Sequence, residues 1–282
     1  MITAVRVADT IAGMRRAREE MCGTVGLVPT MGYLHEGHLS LVRRSRRDND
    51  YTVVSIFVNP TQFGPGEDLS RYPRDISRDL GLLEKLGTDV VFSPPPEDMY
   101  YEDASSWIVV EKVTDRLEGA VRPGHFRGVA TVVGKLFNIV EPHRAYFGQK
   151  DAQQVVVIQK IVADLDFNLE VVVCPTVREP DGLAMSSRNS YLDSEQRRAA
   201  LVLYHSLQKA QREYSAGVRD AGRIRREMAE ILQSEQLAEV DYISVASPLT
   251  MEELDTVEDQ ALVSLAVKIG KTRLIDNIVL GG

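Results

Sequence analysis

Four short runs rich in valine and isoleucine, spaced by segments of helical character, set the tightest limit on how this 282-residue chain folds. Val25–Pro29, Tyr51–Val58, Asp89–Ser93 and Leu169–Cys174 read as strands. Stretches near His38–Asp48, Arg74–Leu86, Gly128–Val140 and Asp151–Leu165 read as helices, and Gly87 stands where a helix C′ glycine stops the second of them. Strands alternating with helices pair in parallel, because each crossover returns the chain to the same edge of the sheet. The run "YTVVSIFV" is apolar on both alternating faces, as a strand covered on both sides must be. The expected class is α/β, a Rossmann-like doubly wound parallel sheet.

The rhythm changes after Thr176. "VREPDGLAMSSRNSYLD" is rich in Ser, Gly, Asp and Pro and reads as a linker or mobile loop. Asp193 then caps a helix, with Gln196 completing a capping box. Helices over Ser194–Tyr214 and Arg219–Gln236 precede three strand-like runs, "VDYISVAS", "QALVSLAVKIG" and "TRLIDNIVL". The expected organisation is a parallel-sheet domain over 1–176 and a smaller C-terminal α+β domain, a lid, over 177–282.

Composition narrows the function. A formal charge of -8 argues against a broad nucleic-acid surface, while still allowing a small anion to be held by local cations and backbone N–H groups. Two isolated cysteines, Cys22 and Cys174, make neither a disulfide framework nor a zinc cluster and suit a reducing cytoplasm. Charged residues from Asp9 through Arg15, Arg16, Arg18, Glu19 and Glu20 leave no signal-peptide core, and no apolar run reaches the length of a membrane span.

The chemistry-bearing strings come next. In "VPTMGYLHEGHLSLVRRSRR" two histidines, His35 and His38, stand three apart. Zinc proteases need them four apart on one helical face, and no third ligand is evident. A strand ending near Pro29, a turn through Thr30–Gly32 and a helix beginning near His38 present unpaired N–H groups and partial positive charge, which suit phosphate. The imidazoles can donate to phosphate oxygens and stabilise charge on a leaving pyrophosphate, and Gly37 permits close approach. A ligand-free pair of helix-start histidines is the plainer alternative. In "YFGQKDAQQ", Gly148 follows a strand, Lys150 offers a point charge, Asp151 suits a ribose, and Gln153 and Gln154 offer amides. A capping Asp beside a solvated Lys is the bland alternative. "MSSRN" sets the hydroxyls of Ser186 and Ser187 beside the Arg188 guanidinium, a compact phosphate grip in a segment that can close over a nucleotide. A polar linker has the same composition.

"FVNPTQF" places Asn59 and Gln62 after a strand, where ligands of open parallel sheets bind. Neutral amides there suit a substrate with hydroxyls and one carboxylate, and a purely structural turn fits the same string equally well. Tyr72, Asp79, Glu118, Arg122, His125 and Arg127 read as a site wall or as solvated loops. "KIGKTR" at Lys268–Arg273 mimics a P-loop tail, but Leu265 holds the place of the required glycine, so Gly270–Lys271 reads as a hairpin turn. No G-x-G-x-x-G motif supports a nicotinamide site.

"PTMGYLHEGH" resembles the H-x-G-H signature of nucleotidyltransferases related to class I aminoacyl-tRNA synthetases. With "FGQKDAQQ" and "MSSRN" in order behind it, the chain resembles the pantothenate synthetase (pantoate–β-alanine ligase) family over nearly its whole length. The resemblance implies a cytoplasmic ATP-dependent ligase that joins pantoate to β-alanine through pantoyl adenylate, releasing AMP and pyrophosphate. It implies ATP binding by Met31, Gly32, Tyr33, Leu34, His35, Glu36, Gly37 and His38, by Gly148, Gln149, Lys150 and Asp151, and by Val177, Met185, Ser186, Ser187 and Arg188. His35, His38, Lys150 and Arg188 would supply catalytic charge. Gln62 and Gln154 would hold pantoate, with Asn59 and Arg122 in the pantoate and β-alanine region. Mg²⁺ would accompany ATP, near Asp79, and the enzyme would be a homodimer joined through its N-terminal domain. Three rivals compete: a nucleotidyltransferase acting on a phosphorylated acceptor, a non-catalytic nucleotide binder, and an RNA-binding synthetase relative.

Overall fold

The computed structural model describes residues 5–281. Its elements run β1 (Arg6–Ala8), α1 (Ile11–Glu19), β2 (Val25–Thr30), α2 (Glu36–Asp48), β3 (Tyr51–Ile56), α3 (Ile76–Lys85), β4 (Val90–Phe92), α4 (Pro96–Met99), α5 (Glu118–Val121), α6 (His125–Val140), β5 (Arg144–Gly148), α7 (Ala152–Asp164) and β6 (Glu170–Cys174). There follow α8 (Ser194–Ala199), α9 (Leu201–Ser215), α10 (Ala221–Gln233), β7 (Ala238–Ala246), β8 (Ala261–Ile269) and β9 (Thr272–Leu280). The chain divides into two compact units, 1–148 with 157–175, and 149–156 with 176–282. Residues 149–156 therefore group with the second unit, which a single cut at 176/177 does not capture.

The first unit holds a six-stranded parallel sheet in the order β1-β4-β3-β2-β5-β6. Alternation along the strands splits its core. Val28, Val54, Val91, Tyr146 and Val172 pack with Leu41 and Val42 of α2 and Leu83 of α3. Their neighbours Leu27, Val53 and Val90 face the other way and are also buried, and α6 packs on β2 and on α1. The apolar pattern does not announce β1 or α1, and the strand expected before Gly148 is β5. β1 is three residues long, α1 shows only Met14 and Ala17 as buried apolar residues, and polar Arg144 opens β5.

The chain reverses its direction of sheet growth between β2 and β5. In open α/β sheets, ligands bind at such a switch point, beyond the carboxyl ends of the strands. Four adjacent strands, β3, β2, β5 and β6, end there in turn. "NPTQ" follows β3 and "MGYLHEGH" follows β2, while β5 runs directly into "QKD" and β6 into the segment that holds Val177.

The second unit packs α9 and α10 on the antiparallel sheet β7-β8-β9, with Leu203, Leu207, Ile224, Met228 and Leu232 against Val245, Val263, Leu265, Val267 and Leu274. Gly270 and Lys271 form the two-residue turn between β8 and β9, as their spacing predicts. The Asp193–Gln196 capping box starts α8, and the helix expected to run to Tyr214 is divided at Ala200. No helix among the described residues is long and apolar enough to cross a membrane.

Candidate active site

The turn after β2 is built around two positive φ angles, +80° at Gly32 and +51° at Tyr33. Gly32 takes its conformation without Cβ strain, and a Cβ there would come 3.0 Å from Ile56. The turn aims two successive N–H groups inward. Asp79, in the first turn of α3, receives both: Oδ2 accepts from Tyr33 N at 2.6 Å and Oδ1 from Leu34 N at 2.8 Å. Arg78 donates to Leu34 O at 2.9 Å, lies 3.4 Å from Asp79 Oδ1, and stacks 5.3 Å from the Tyr33 ring centroid. Burial raises the Asp79 pKa, opposed by the Leu34 and Tyr33 N–H groups and by Arg78.

Asp79 therefore fastens the turn. Its side chain is almost wholly buried, its oxygens are committed to backbone donors, and no cluster of three potential ligands exists among the described residues. With both carboxylate oxygens taken by backbone N–H groups, Asp79 serves the turn between β2 and α2.

The fastened turn delivers the histidines to the start of α2, which begins at Glu36, two residues earlier than the sequence suggests. His35 is the N-cap, and its Nδ1 accepts from Gly37 N at 3.1 Å. His38 sits at N3, and its Nδ1 accepts from His35 N at 3.3 Å. Two imidazoles thus form a reciprocal capping box, with ring centroids 4.1 Å apart. Because both Nδ1 atoms accept, each neutral ring carries its proton on Nε2, so each Nε2 is a donor. Glu36 pairs with Arg43, and Leu34 is fully buried in the core. Met31 takes a 3.3 Å contact at sulfur from the Gln62 amide.

Beyond β3, Asn59 caps a single 3-10 turn, Pro60–Gln62. Its Oδ1 accepts from Thr61 N and Oγ1 at 3.3 and 2.9 Å, and its Nδ2 donates to Gln62 Oε1 and Gly128 O, both at 3.1 Å. Gly128 is required by contact, because a Cβ there would lie 2.5 Å from Thr61 O. Arg122 holds Glu67 with two bonds of 2.8 and 2.6 Å, meets Gln62 O at 3.4 Å and meets His125 Nε2 at 3.1 Å. His125 Nδ1 donates to Gln62 O at 2.8 Å. Burial and the Arg122 charge push the His125 pKa down to about 4, so the ring is neutral. Burial acts to raise Glu67, but the Arg122 hydrogen bonds and charge outweigh it and hold this carboxyl below its usual range. Asn59 and Arg122 direct these groups to protein partners around Gln62. Tyr72 is likewise buried, edge-on to Phe63.

In the second unit, Gln149–Asp151 form a 3-10 turn that runs into α7, so Gln153 and Gln154 lie in that helix's first turn. Gln153 is buried and Gln154 half-buried. Lys150 Nζ lies 3.4 Å from Asp151 Oδ1, with its side chain 19% exposed. Gly148, the residue before, ends β5 in register with Cys174.

The segment after Thr176 is a packed hairpin rather than a plain linker. Arg178 bridges Ala184, and Met185 N donates to Val177 O at 3.0 Å, which joins two of the expected ATP residues. Leu183 and Ala184 are buried. Ser186 caps the 3-10 helix Ser187–Tyr191 by accepting from Arg188 N at 3.3 Å, and Ser187 is buried. Arg178 anchors the hairpin, donating to Asp276 Oδ2 and Oδ1 at 2.6 and 3.0 Å and to Gly182 O at 3.0 Å, while it stacks on Tyr204. Burial raises the Asp276 pKa, with Arg178 acting against it.

Sequence reasoning did not find Arg78, Glu67, Arg178, Asp276 or Asn277. One signal was available for the last two: adjacent Asp and Asn inside the apolar strand "TRLIDNIVL" place polar groups on both faces of a buried element, and such groups need partners.

These geometries have close counterparts. Residues 6–279 match the Pantoate-beta-alanine ligase family. A pantothenate synthetase of Herpetosiphon aurantiacus is 60% identical over 277 residues, 98% of this chain and 100% of that one. The crystal structure of pantothenate synthetase from Thermus thermophilus superposes with a TM-score of 0.93 at 48% identity, covering 97% of this chain and 99% of that one. That of pantoate-beta-alanine ligase from Francisella tularensis, complexed with beta-gamma ATP and beta-alanine, gives 0.82 at 36% identity, over 98% and 97%. A family match spanning both units, relatives of equal length and a shared sheet together establish that this chain belongs to the pantoate–β-alanine ligase family.

Proposed function

We infer that this protein condenses (R)-pantoate with β-alanine using ATP, giving pantothenate, AMP and pyrophosphate. The observation that carries the reading is that "NPTQ" and "MGYLHEGH" follow the adjacent parallel strands β3 and β2, beside the switch point of the sheet. Family membership and the ATP- and beta-alanine-bound Francisella relative support the same substrates.

Pantoate is ionised at neutral pH, since an ordinary carboxyl has a pKa of about 4. No strong base is required. The barrier lies in bringing two anions together and in stabilising the departing pyrophosphate. His35 and His38 carry Nε2 donors at the N-terminus of α2, and Lys150 and Arg188 are proposed to supply positive charge to the same phosphates. The pantoate carboxylate attacks the α-phosphorus, the bond to the β-phosphate breaks, and pyrophosphate leaves. The neutral amine of β-alanine then attacks the carbonyl of pantoyl adenylate, loses a proton and displaces AMP.

Gln62 and Gln154 are proposed to hold pantoate, with Asn59 and Arg122 in the pantoate and β-alanine region. Asn59, Arg122 and His125 keep the Gln62 turn in place. The remaining members of the three nucleotide strings, from Met31 to Gly37, Gly148 to Asp151 and Val177 to Ser187, are proposed to line the ATP. Mg²⁺ is proposed to arrive on the ATP phosphates as part of the substrate. A homodimer joined through the first unit and a cytoplasmic setting, suited to free Cys22 and Cys174, complete the reading.

Incubation with MgATP, pantoate and β-alanine tests it. The expected products are pantothenate and AMP in equal amounts, with no ADP. Nucleotide transfer to a phosphorylated acceptor, with pantoate inert, would establish the rival nucleotidyltransferase reading instead.

A further inference from the structure

The backbone that carries the lysine of the "GQKD" string is fixed from far along the chain, by β9, 127 residues later. Asn277 is 4% exposed. Its Nδ2 donates one hydrogen to Gln149 O at 3.0 Å and the other to Lys150 O at 2.8 Å. Its Oδ1 accepts from Gln149 Nε2 at 3.2 Å. Two carbonyls on one side require the nitrogen there, which settles the amide's orientation. Both amide hydrogens are thus engaged by the turn that carries Lys150.

Asn277 is itself held. Its N–H donates to Asp276 Oδ1 at 2.8 Å, and Asp276 is gripped by both Arg178 Nη atoms. Neighbouring strand residues point to opposite faces. On one face Asp276 ties β9 to the Val177–Met185 hairpin, and on the other Asn277 ties it to the lysine turn. A flexible four-carbon stem reaches a phosphate reproducibly only from a fixed backbone, so an error in the turn becomes an error at Nζ.

We propose that Asn277 is a positioning residue for Lys150, acting on ATP through that lysine and touching no substrate itself. This rests on the ligase reading, in which Lys150 meets the nucleotide. The distinguishing readout is a double-mutant cycle, because residues that act through one another are non-additive whereas a general loss of stability is not confined to one partner. Pantoate-dependent exchange of labelled pyrophosphate into ATP is measured for wild type, Asn277→Ala, Lys150→Ala and the double variant, and MgATP affinity is measured by calorimetry on the same four proteins. Asn277→Ala is expected to lower exchange about tenfold, roughly one lost carbonyl clamp. In the Lys150→Ala background it is expected to change exchange and affinity less than about twofold. Aminolysis of supplied pantoyl adenylate by β-alanine is expected to stay within about threefold of wild type. Asn277→Asp, nearly equal in volume but without the two donors, replaces the alanine variant should that one fail to fold.

Full additivity with Lys150→Ala, wild-type exchange in Asn277→Ala, or equal loss in both half-reactions would overturn the proposal, as would failure of both variants to fold. Wild-type protein without pantoate-dependent exchange would overturn the ligase reading alone. The affinity cycle would then still decide the clamp.

Discussion

The two units fasten the turns that carry their candidate nucleotide strings by opposite means. After β2, the turn points N–H groups inward, and a buried carboxylate, Asp79, accepts them. After β5, the 3-10 turn points C=O groups inward, and a neutral amide, Asn277, donates to them. The difference follows from backbone polarity. A turn that precedes a helix with positive φ exposes donors, whereas a turn closed at Gln149–Lys150 exposes acceptors. It also has an energetic side. A buried carboxylate carries a desolvation cost that its partners must offset, and a buried amide carries much less. The first turn should therefore respond to charge removal and to acid, and the second only to loss of shape and donors.

The largest expected effect tests the charged clamp. Asp79→Ala leaves Tyr33 N and Leu34 N without their acceptor and should cost about 3 kcal/mol in urea unfolding, at roughly 1–3 kcal/mol per stranded donor. A loss under about 1 kcal/mol would mean that water or another acceptor replaces the carboxylate. It would erase the contrast with Asn277.

The next concerns acid. His125 has its pKa lowered from 6.5 to about 4, with Arg122, Glu118 and Glu67 facing it. The unfolded chain binds the proton first, so the stability given by the neutral ring is present above pH 6.5 and lost as pH falls toward 4. The loss amounts to about 3 kcal/mol, at roughly 1.36 kcal/mol per pKa unit. His125→Asn, which keeps a donor for Gln62 O, should flatten the stability profile between those values. Asp79 acts in the other direction. Its raised pKa means that acid relieves the cost of burying its charge, in the range just above the ordinary value of 3.8. An unchanged acid slope in His125→Asn would show that other groups set it.

The smallest effect belongs to the reacting edge. His38→Ala should slow adenylate formation at least about tenfold, or roughly 1.4 kcal/mol, seen in single-turnover release of pyrophosphate. It also removes the acceptor for His35 N, so His38→Asn, whose Oδ1 can stand in for Nδ1, should recover the cap but not the rate. A wild-type rate in His38→Ala would show that the Nε2 donor is not used.

Much of this architecture was legible from the chain. The buried strands announce themselves because both faces are apolar, and the strings after β2 and β5 combine residue types that few structural turns need together. The supports were not legible, for a physical reason. Asp79 lies 45 residues from Leu34, and Asn277 lies 127 from Lys150. No local pattern links a turn to a clamp that reaches it only after the chain has folded. The role of Asp79 in the turn is therefore invisible until its partners are known. The Val177–Arg188 segment reads as a loose linker because its polar residues satisfy one another internally, and composition does not distinguish internal partners from water.

The central claim is that the groups behind β2, β5 and β6 activate one carboxylate with ATP. Exchange of labelled pyrophosphate into ATP, with and without pantoate and in the absence of β-alanine, tests it most directly. The account predicts rapid exchange that requires pantoate and collapses in Lys150→Ala. Exchange that proceeds equally well without pantoate, or no exchange from folded wild-type protein, would contradict it.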